Sequence, residues 1–179
     1  FPDKPCSVEM VLPDGTTAFA VNGGLSIHGN ASREPRKNPK HGFKLSFKGE
    51  FGESSLQYRL FPDSPAEEFD DLILRADFGT SWRHQSDTAT EGFGAFQRTR
   101  ATRTRDAWFK ETFRDMGNVA SHNRYFHLFI NGVYWGTYDL TEQPNNNFAP
   151  NYFGGTGDDF DIYEQGALKN GTSTAYTTM

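Results

Sequence analysis

The dipeptide Asn131-Gly132 constrains this chain more than any other local feature, because it lies between two runs of β-forming residues. Both central residues of a type I′ turn need positive φ, and Asn-Gly is a pair that adopts this backbone readily. The sequence therefore predicts a β-hairpin with strands at 125–130 and 133–140.

A two-residue loop also sets the register of the hairpin. Because both of its faces carry apolar residues, we expect the hairpin to be covered on both sides. The expected cross-strand pairs are Ile130–Val133, Leu128–Trp135 and Phe126–Thr137 on one face, and Phe129–Tyr134 and Tyr125–Tyr138 on the other.

The first third of the sequence alternates short β-prone runs with turn signals. Runs at 7–12, 17–21 and 25–28 are separated by Pro13-Asp14-Gly15 and by Asn22-Gly23-Gly24. Clusters of Gly, Pro, Asn and Asp between apolar runs are typical of turns. This part of the chain is therefore predicted to be a meander of antiparallel strands.

The segment 42–48 shows the period-two pattern of a half-buried strand. Phe43, Leu45 and Phe47 alternate with polar residues and would face the core. Lys44 then lies on the opposite, basic face of the strand. The preceding residues, 33–40, are basic and interrupted by prolines, and we expect a loop there.

Further short strands are predicted at 56–61 and 71–75. A helix is predicted at 105–116, because apolar residues recur there at three- and four-residue spacing before Gly117. The segment 78–102 shows no periodicity, and a connection of about 25 residues is long enough to indicate a functional or mobile loop. The predicted fold class is α+β, a twisted antiparallel sheet with one main helix.

Composition narrows the possible functions. The chain has 18 Lys and Arg against 23 Asp and Glu, a net charge of −5, which argues against a general nucleic-acid binder. No run approaches the roughly 20 apolar residues of a membrane span. The 17 Phe, 7 Tyr and 3 Trp suffice for one core, so we expect one domain or one piece of a domain over 1–179.

Metal ligation has little support in the sequence. The five histidines show no ligand spacing, and Cys6 is the only cysteine. The acidic run at 158–164 follows glycines, which suggests either a calcium loop or a solvated acidic turn, but its spacing does not match a calcium-binding pattern. No metal ligand is assigned.

The basic stretch around Lys40 and Lys44 has two interpretations. Lysines behind a turn that contains Ser32 can present charge to a phosphate group while the turn supplies backbone donors. The alternative is a solvated edge strand whose lysines prevent aggregation. Similarly, Glu142 after the second hairpin strand is either a hydrogen-bonding residue or a strand terminator.

Several blocks of the sequence, matching in order and spacing, resemble the CotH kinase family, named for spore coat protein H. The block that ends at Glu142 is the most specific, and the segment from Gly154 to Ile162 is similar to a subset found in large secreted or surface-attached bacterial proteins. The blocks are Ile27-His28-Gly29-Asn30-Ala31-Ser32, Pro39-Lys40-His41-Gly42-Phe43-Lys44-Leu45-Ser46-Phe47, Leu74-Arg75, Arg105-Asp106, and Ile130-Asn131-Gly132-Val133-Tyr134-Trp135-Gly136-Thr137-Tyr138-Asp139-Leu140-Thr141-Glu142.

The resemblance implies the N-terminal lobe of an atypical, protein-kinase-like fold. It implies ATP and Mg²⁺ as cofactors, phosphate transfer to extracellular or coat proteins as the activity of the intact protein, and a secreted or cell-surface location. The nucleotide-binding residues that it implies are Lys40, Lys44, Ser32, Arg105, Asp106 and Glu142.

The chain also departs from the family pattern. The family's catalytic and metal-binding aspartates lie in a later Trp-Asp-x-Asp-like segment, which does not occur after Glu142. We therefore assign no catalytic residue, and expect a sheet and helix within 5–142 and a polar tail at 143–179 that leads toward a second lobe. The alternative function is a non-catalytic surface module for adhesion or assembly that retains the fold.

Overall fold

The computed structural model describes residues 2–35, 38–81, 100–164 and 166–178. The predicted α+β class with an antiparallel sheet is confirmed. Short 3-10 turns lie at Ala31–Arg33, Phe78–Thr80 and Gly157–Asp159. The strands and helices of these ranges are β1 (Lys4–Val11), β2 (Thr17–His28), β3 (Gly42–Ser46), β4 (Leu56–Gln57), β5 (Glu68–Phe69), β6 (Asp71–Arg75), α1 (Arg105–Asp115), β7 (Asn123–Ile130), β8 (Val133–Glu142), α2 (Phe148–Phe153), β9 (Ile162–Glu164), β10 (Ala167–Asn170) and α3 (Thr174–Thr178).

The main sheet runs in the order β1-β2-β3-β6-β8-β7 across the described part of the chain, and all its neighbouring strands are antiparallel. Alternate residues of a strand point to the same side of the sheet, and the apolar residues of these strands alternate, so one face of the sheet carries the apolar core. Core residues that are almost fully buried include Phe47, Leu56, Leu60, Leu72 and Tyr138. In the segment 42–48, Phe43, Leu45 and Phe47 face the core as predicted, but the predicted exposure of the other face is only partly correct, because Ser46 is 0% exposed. The strand β3 itself ends at Ser46.

The turn predicted at Asn22-Gly23-Gly24 is wrong, since β2 continues through these residues and pairs with β1 along its length. The glycines serve close packing instead. A Cβ on Gly24 would lie 2.6 Å from a ring carbon of Phe51, and one on Gly23 would lie 3.2 Å from the carbonyl oxygen of Ser46. A glycine selected for close approach gives the same sequence signal as a glycine in a turn.

The predicted strand at 56–61 is only partly correct. Only Leu56–Gln57 is a strand, while Leu60 and Phe61 are buried in irregular backbone and still contribute to the core. The strand predicted at 71–75 is confirmed as β6. In the segment 56–61 the buried apolar residues therefore extend beyond the strand.

The Asn131-Gly132 turn is confirmed, with φ of 50° and 77° at its two residues. Beyond the first two pairs the register shifts by one, because Trp135 is an extra residue before Gly136, whose φ is 113°. Such a bulge places two residues opposite one. The pairs Ile130–Val133 and Phe129–Tyr134 are confirmed, whereas Leu128–Trp135, Phe126–Thr137 and Tyr125–Tyr138 are wrong and are replaced by Leu128–Gly136, Phe126–Tyr138 and Tyr125–Asp139.

The expectation that the hairpin is covered on both sides is also wrong. Phe129 is 60% exposed, Tyr134 52% and Trp135 48%. Among the residues that the structure describes, only the face that includes Phe126 and Leu128 packs against the core. The tip of the hairpin therefore presents aromatic side chains on its outer surface.

The predicted helix is confirmed as α1, followed by Met116 and by Gly117 with φ of 86°. Its apolar residues are exposed: Trp108 is 58% exposed, Phe109 60%, and Met116, which follows the helix, 73%. The helix therefore contacts the sheet through its polar side.

The segment 143–178, predicted as a polar tail, contains α2, the β9–β10 hairpin and α3. Its acidic run forms local caps: the Asp159 carboxylate accepts hydrogen bonds from the backbone N–H of Thr156 at 2.7 Å and from its hydroxyl at 3.0 Å. Within the described ranges no group of three His, Cys, Asp or Glu side chains could hold a metal ion. Most of the predicted loop 78–102, residues 82–99, lies outside the described residues.

Candidate functional site

An open cleft of about 650 Å³ lies on the polar face of the main sheet, beside α1. Ile73 on β6 pairs across the strands with Lys44 on β3 and with Thr141 on β8, so these three side chains share the polar face. Ile73 and Thr141 line the cleft together with residues of α1. The cleft therefore lies on the face opposite the apolar core.

An ion network joins the sheet to α1 at this cleft. The Asp106 carboxylate lies 2.6 Å from the Arg75 guanidinium and 2.9 Å from the Lys110 ammonium. Lys110 also donates a hydrogen bond to the Thr141 hydroxyl at 3.1 Å. Asp106 thus lies between a cation from the strand and a cation one turn along its own helix.

This arrangement orients Arg75 through one nitrogen of its guanidinium. A guanidinium has five N–H donors in a planar fork, and the bond to Asp106 comes from Nη1. The Arg75 side chain is 38% exposed at the cleft. A planar, oriented and accessible guanidinium is suited to binding a phosphate or carboxylate.

Four of the six residues predicted to bind nucleotide line the cleft, and the other two do not. Ser32, Arg105, Asp106 and Glu142 are among its lining residues. Glu142 pairs with Leu72 across the strands, so its side chain lies on the core face of the sheet. Lys44 forms an ion pair with Asp71 at 2.9 Å. The structure therefore brings together only part of the predicted set.

Lys40 packs on the aromatic ring of Tyr138, with its ammonium 4.0 Å from the ring centre. The ammonium also donates a hydrogen bond to the carbonyl oxygen of Thr137. Neither Lys40 nor Lys44 is a lining residue of the cleft. Their direct contact with a nucleotide stays a prediction.

Ser32 lies in the turn after Gly29, whose φ is 113°. A Cβ on Gly29 would lie 1.9 Å from the Ser32 hydroxyl, so the turn requires glycine there. His41 Nδ1 lies 3.0 Å from the Ser32 carbonyl oxygen and donates to it. Arg105 is exposed at the start of α1 and donates to the carbonyl of Arg100 at 3.4 Å.

Glu142 is the last residue of β8, is only 2% exposed, and is held by several hydrogen bonds. Its carboxylate accepts from the Ser64 hydroxyl at 3.0 Å, from the backbone N–H of His122 at 2.6 Å and from the Tyr152 hydroxyl at 2.7 Å. Glu142 therefore terminates the strand and also ties α2 to the sheet. Burial raises the pKa of the Tyr152 hydroxyl, which keeps it a donor.

The sequence alone gave no functional signal for Arg75, Lys110, Asp77 or Arg103. Arg75 was visible only as part of a family block, while the four-residue spacing of Asp106 and Lys110 is the signal that could have identified a helical ion pair. Asp77 and Arg103 lie 26 positions apart and meet only through the tertiary fold.

Asp77 and Asp139 are buried carboxylates near the cleft. Burial raises the pKa of Asp77, and the hydrogen bonds from Arg103 oppose that rise. Burial also raises the pKa of Asp139, which is 0% exposed and accepts from the Asn123 amide at 2.8 Å. The other Asp139 oxygen, Oδ2, has no hydrogen-bond partner within the described structure.

The sequence model of the CotH kinase protein family matches residues 100–176. The resemblance to the CotH family is confirmed. The matched range includes Asp106 and Lys110 from the cleft together with Glu142, and this part of the chain is similar to the CotH kinase protein family. The comparison with curated proteins found no similar sequence. Among the described residues no helix is long and apolar enough to cross a membrane.

Proposed function

We propose that this cleft binds the phosphates of ATP, and that the chain is part of a CotH-like protein kinase acting on secreted or coat proteins. The observation that carries the proposal is the Asp106 carboxylate held between Arg75 and Lys110 at the cleft. The intact protein would transfer phosphate, with Arg75 and Lys110 orienting the nucleotide in this part of it.

Phosphoryl transfer depends mostly on positioning and on charge neutralisation. Protein kinases hold a cationic side chain on a strand by an ion pair to an acidic side chain on a neighbouring helix. Arg75 on β6 and Asp106 on α1 have the same relation. This supports the sheet and α1 acting as the nucleotide-binding lobe of a kinase-like fold.

The cleft residues fit a nucleotide better than they fit a metal ion. Arg75, Arg105 and Lys110 line the cleft and supply positive charge, while Asp106 is engaged by two of them. The described residues offer no cluster of three metal ligands. Mg²⁺ commonly binds through substrate phosphates and water with one or two carboxylates, and when bound it would neutralise phosphate charge.

Calorimetry with Mg·ATP tests the proposal. We expect saturable binding by the unaltered chain, and about ten- to a hundredfold weaker binding by Arg75→Ala, since a hydrogen bond to a charged group contributes roughly 1.5–3 kcal/mol. Lys48→Ala is the matched control, because it removes a 2.9 Å ion pair with Asp3 outside the cleft lining. No binding by the unaltered chain, or equal affinity in both variants, would overturn the proposal.

A second candidate function is a non-catalytic surface module. It is favoured by the exposed aromatic side chains of the hairpin tip, Phe129, Tyr134 and Trp135. Exposed aromatic clusters are common at protein contact sites. For such a module Trp135→Ala would impair binding to a coat or surface protein, whereas Arg75→Ala would leave that binding unchanged.

A further inference from the structure

We infer that Asp77 and Arg103 form a clamp that fixes the start of α1 and thereby positions Asp106 against Arg75. Its consequence for ATP binding rests on the proposed function, whereas its effect on the helix does not. Neither residue is assigned a role by the family resemblance.

The clamp is a set of hydrogen bonds centred on Arg103. Its Nε and Nη2 donate to Asp77 Oδ2 at 3.0 and 2.9 Å, and Nη2 also donates to the Thr137 carbonyl at 2.8 Å. The Tyr125 hydroxyl donates to the backbone carbonyl of Arg103 at 2.8 Å. Arg103 therefore joins the chain just before α1 to the residues after β6, to β8 and to β7.

Helix α1 needs such an anchor because apolar packing does not hold it. None of its residues, 105–115, is buried in the described structure, and the N-cap residue Thr104 makes no side-chain capping hydrogen bond. Asp106 and Lys110 make polar contacts with the sheet, and near the other end of the helix Arg114 donates a hydrogen bond to the Ser121 carbonyl at 2.9 Å. Arg103 lies only three positions before Asp106, so fixing one restricts the other.

The backbone conformation of the two clamp residues also indicates that the surrounding structure holds them in place. Asp77 and Arg103 adopt the left-handed region, with φ of 55° and 59°. This conformation costs a non-glycine residue of the order of 1–2 kcal/mol and persists where the surroundings enforce it. The Asp77 side chain is only 2% exposed, so its bonds to Arg103 are shielded from water.

Hydrogen–deuterium exchange tests the clamp directly. Arg103→Lys keeps the positive charge but cannot reproduce donation from two nitrogens to Asp77 together with the bond to Thr137. We expect roughly tenfold faster amide exchange across 104–112, with exchange across 42–46 unchanged. Arg59→Lys is the control, because Arg59 pairs with Glu67 at 3.6 Å on an exposed surface.

A double-mutant cycle separates positioning from general stability. We expect Arg103→Lys to weaken Mg·ATP binding roughly five- to tenfold in the unaltered chain and to have little further effect in Arg75→Ala. Equal factors in both backgrounds, or unchanged exchange across 104–112, would overturn the clamp. If the unaltered chain does not bind Mg·ATP, the proposed function fails, and the exchange measurement still decides the clamp.

Discussion

Replacement of Tyr152 by Phe removes one hydroxyl from the buried network of Glu142. That hydroxyl donates to the Glu142 carboxylate at 2.7 Å and lies 2.8 Å from His122 Nδ1. The phenylalanine ring keeps the packing against Phe148, whose ring centre lies 4.5 Å away. The substitution therefore isolates the polar contribution of Tyr152 to the docking of α2.

The expected loss follows from the nature of that bond. A hydrogen bond to a charged group contributes about 1.5–3 kcal/mol, and a buried carboxylate that loses a donor is left less well satisfied. For a domain of this size 1 kcal/mol corresponds to roughly 2–4 °C in Tm, so we expect a decrease of about 3–12 °C. The loss should be largest for the segment that contains α2.

Urea and thermal unfolding measure this loss, and hydrogen exchange across 148–153 localises it. Tyr134→Phe is the matched control, because its hydroxyl makes a 2.9 Å contact with His127 at a site that is 52% exposed. We expect at most about 0.5 kcal/mol from the control. Equal losses in the two variants would refute the reasoning that Glu142 ties α2 to the sheet.

Two other substitutions test the buried carboxylate and the close-packed glycine. The raised pKa of Asp139 means that its ionised form opposes folding, so its contribution to the free energy of unfolding falls as pH rises from 3.8 through the folded pKa. Over that pH range the Asp139→Asn variant should therefore become more stable relative to the unaltered chain. An equal dependence of the two free energies of unfolding on pH would contradict this. Gly24→Ala should lower the free energy of unfolding in urea by about 1–3 kcal/mol, because the added Cβ would lie 2.6 Å from Phe51. Gly49→Ala is the control and should change stability little, because a Cβ there meets no atom within 4 Å.

Local signals predicted the elements whose conformation is set by neighbouring residues. Asn131-Gly132 determined the turn, and the apolar spacing before Gly117 determined α1. The bulge at Trp135 was not predictable, because an extra residue in one strand leaves the composition of both strands unchanged. Similarly, Gly24 gave a turn signal although its actual requirement is space for Phe51.

The candidate site was only partly predictable for a related reason. Family blocks indicated Ser32, Arg105, Asp106 and Glu142, which line the cleft. They did not indicate which cationic side chain of the sheet pairs with Asp106. In the structure it is Arg75, and not Lys40 or Lys44. That pairing depends on how α1 crosses the sheet, which only the tertiary fold determines.

Nuclear magnetic resonance with isotope-labelled arginine tests the nucleotide-binding claim most directly. The side-chain Nε–H signal of Arg75 reports on the one guanidinium that Asp106 orients at the cleft. On titration with Mg·ATP we predict a saturable shift of this signal, and no shift for Arg59 on the exposed surface. An unchanged Arg75 signal at saturating Mg·ATP would contradict the claim that this cleft binds the phosphates of ATP.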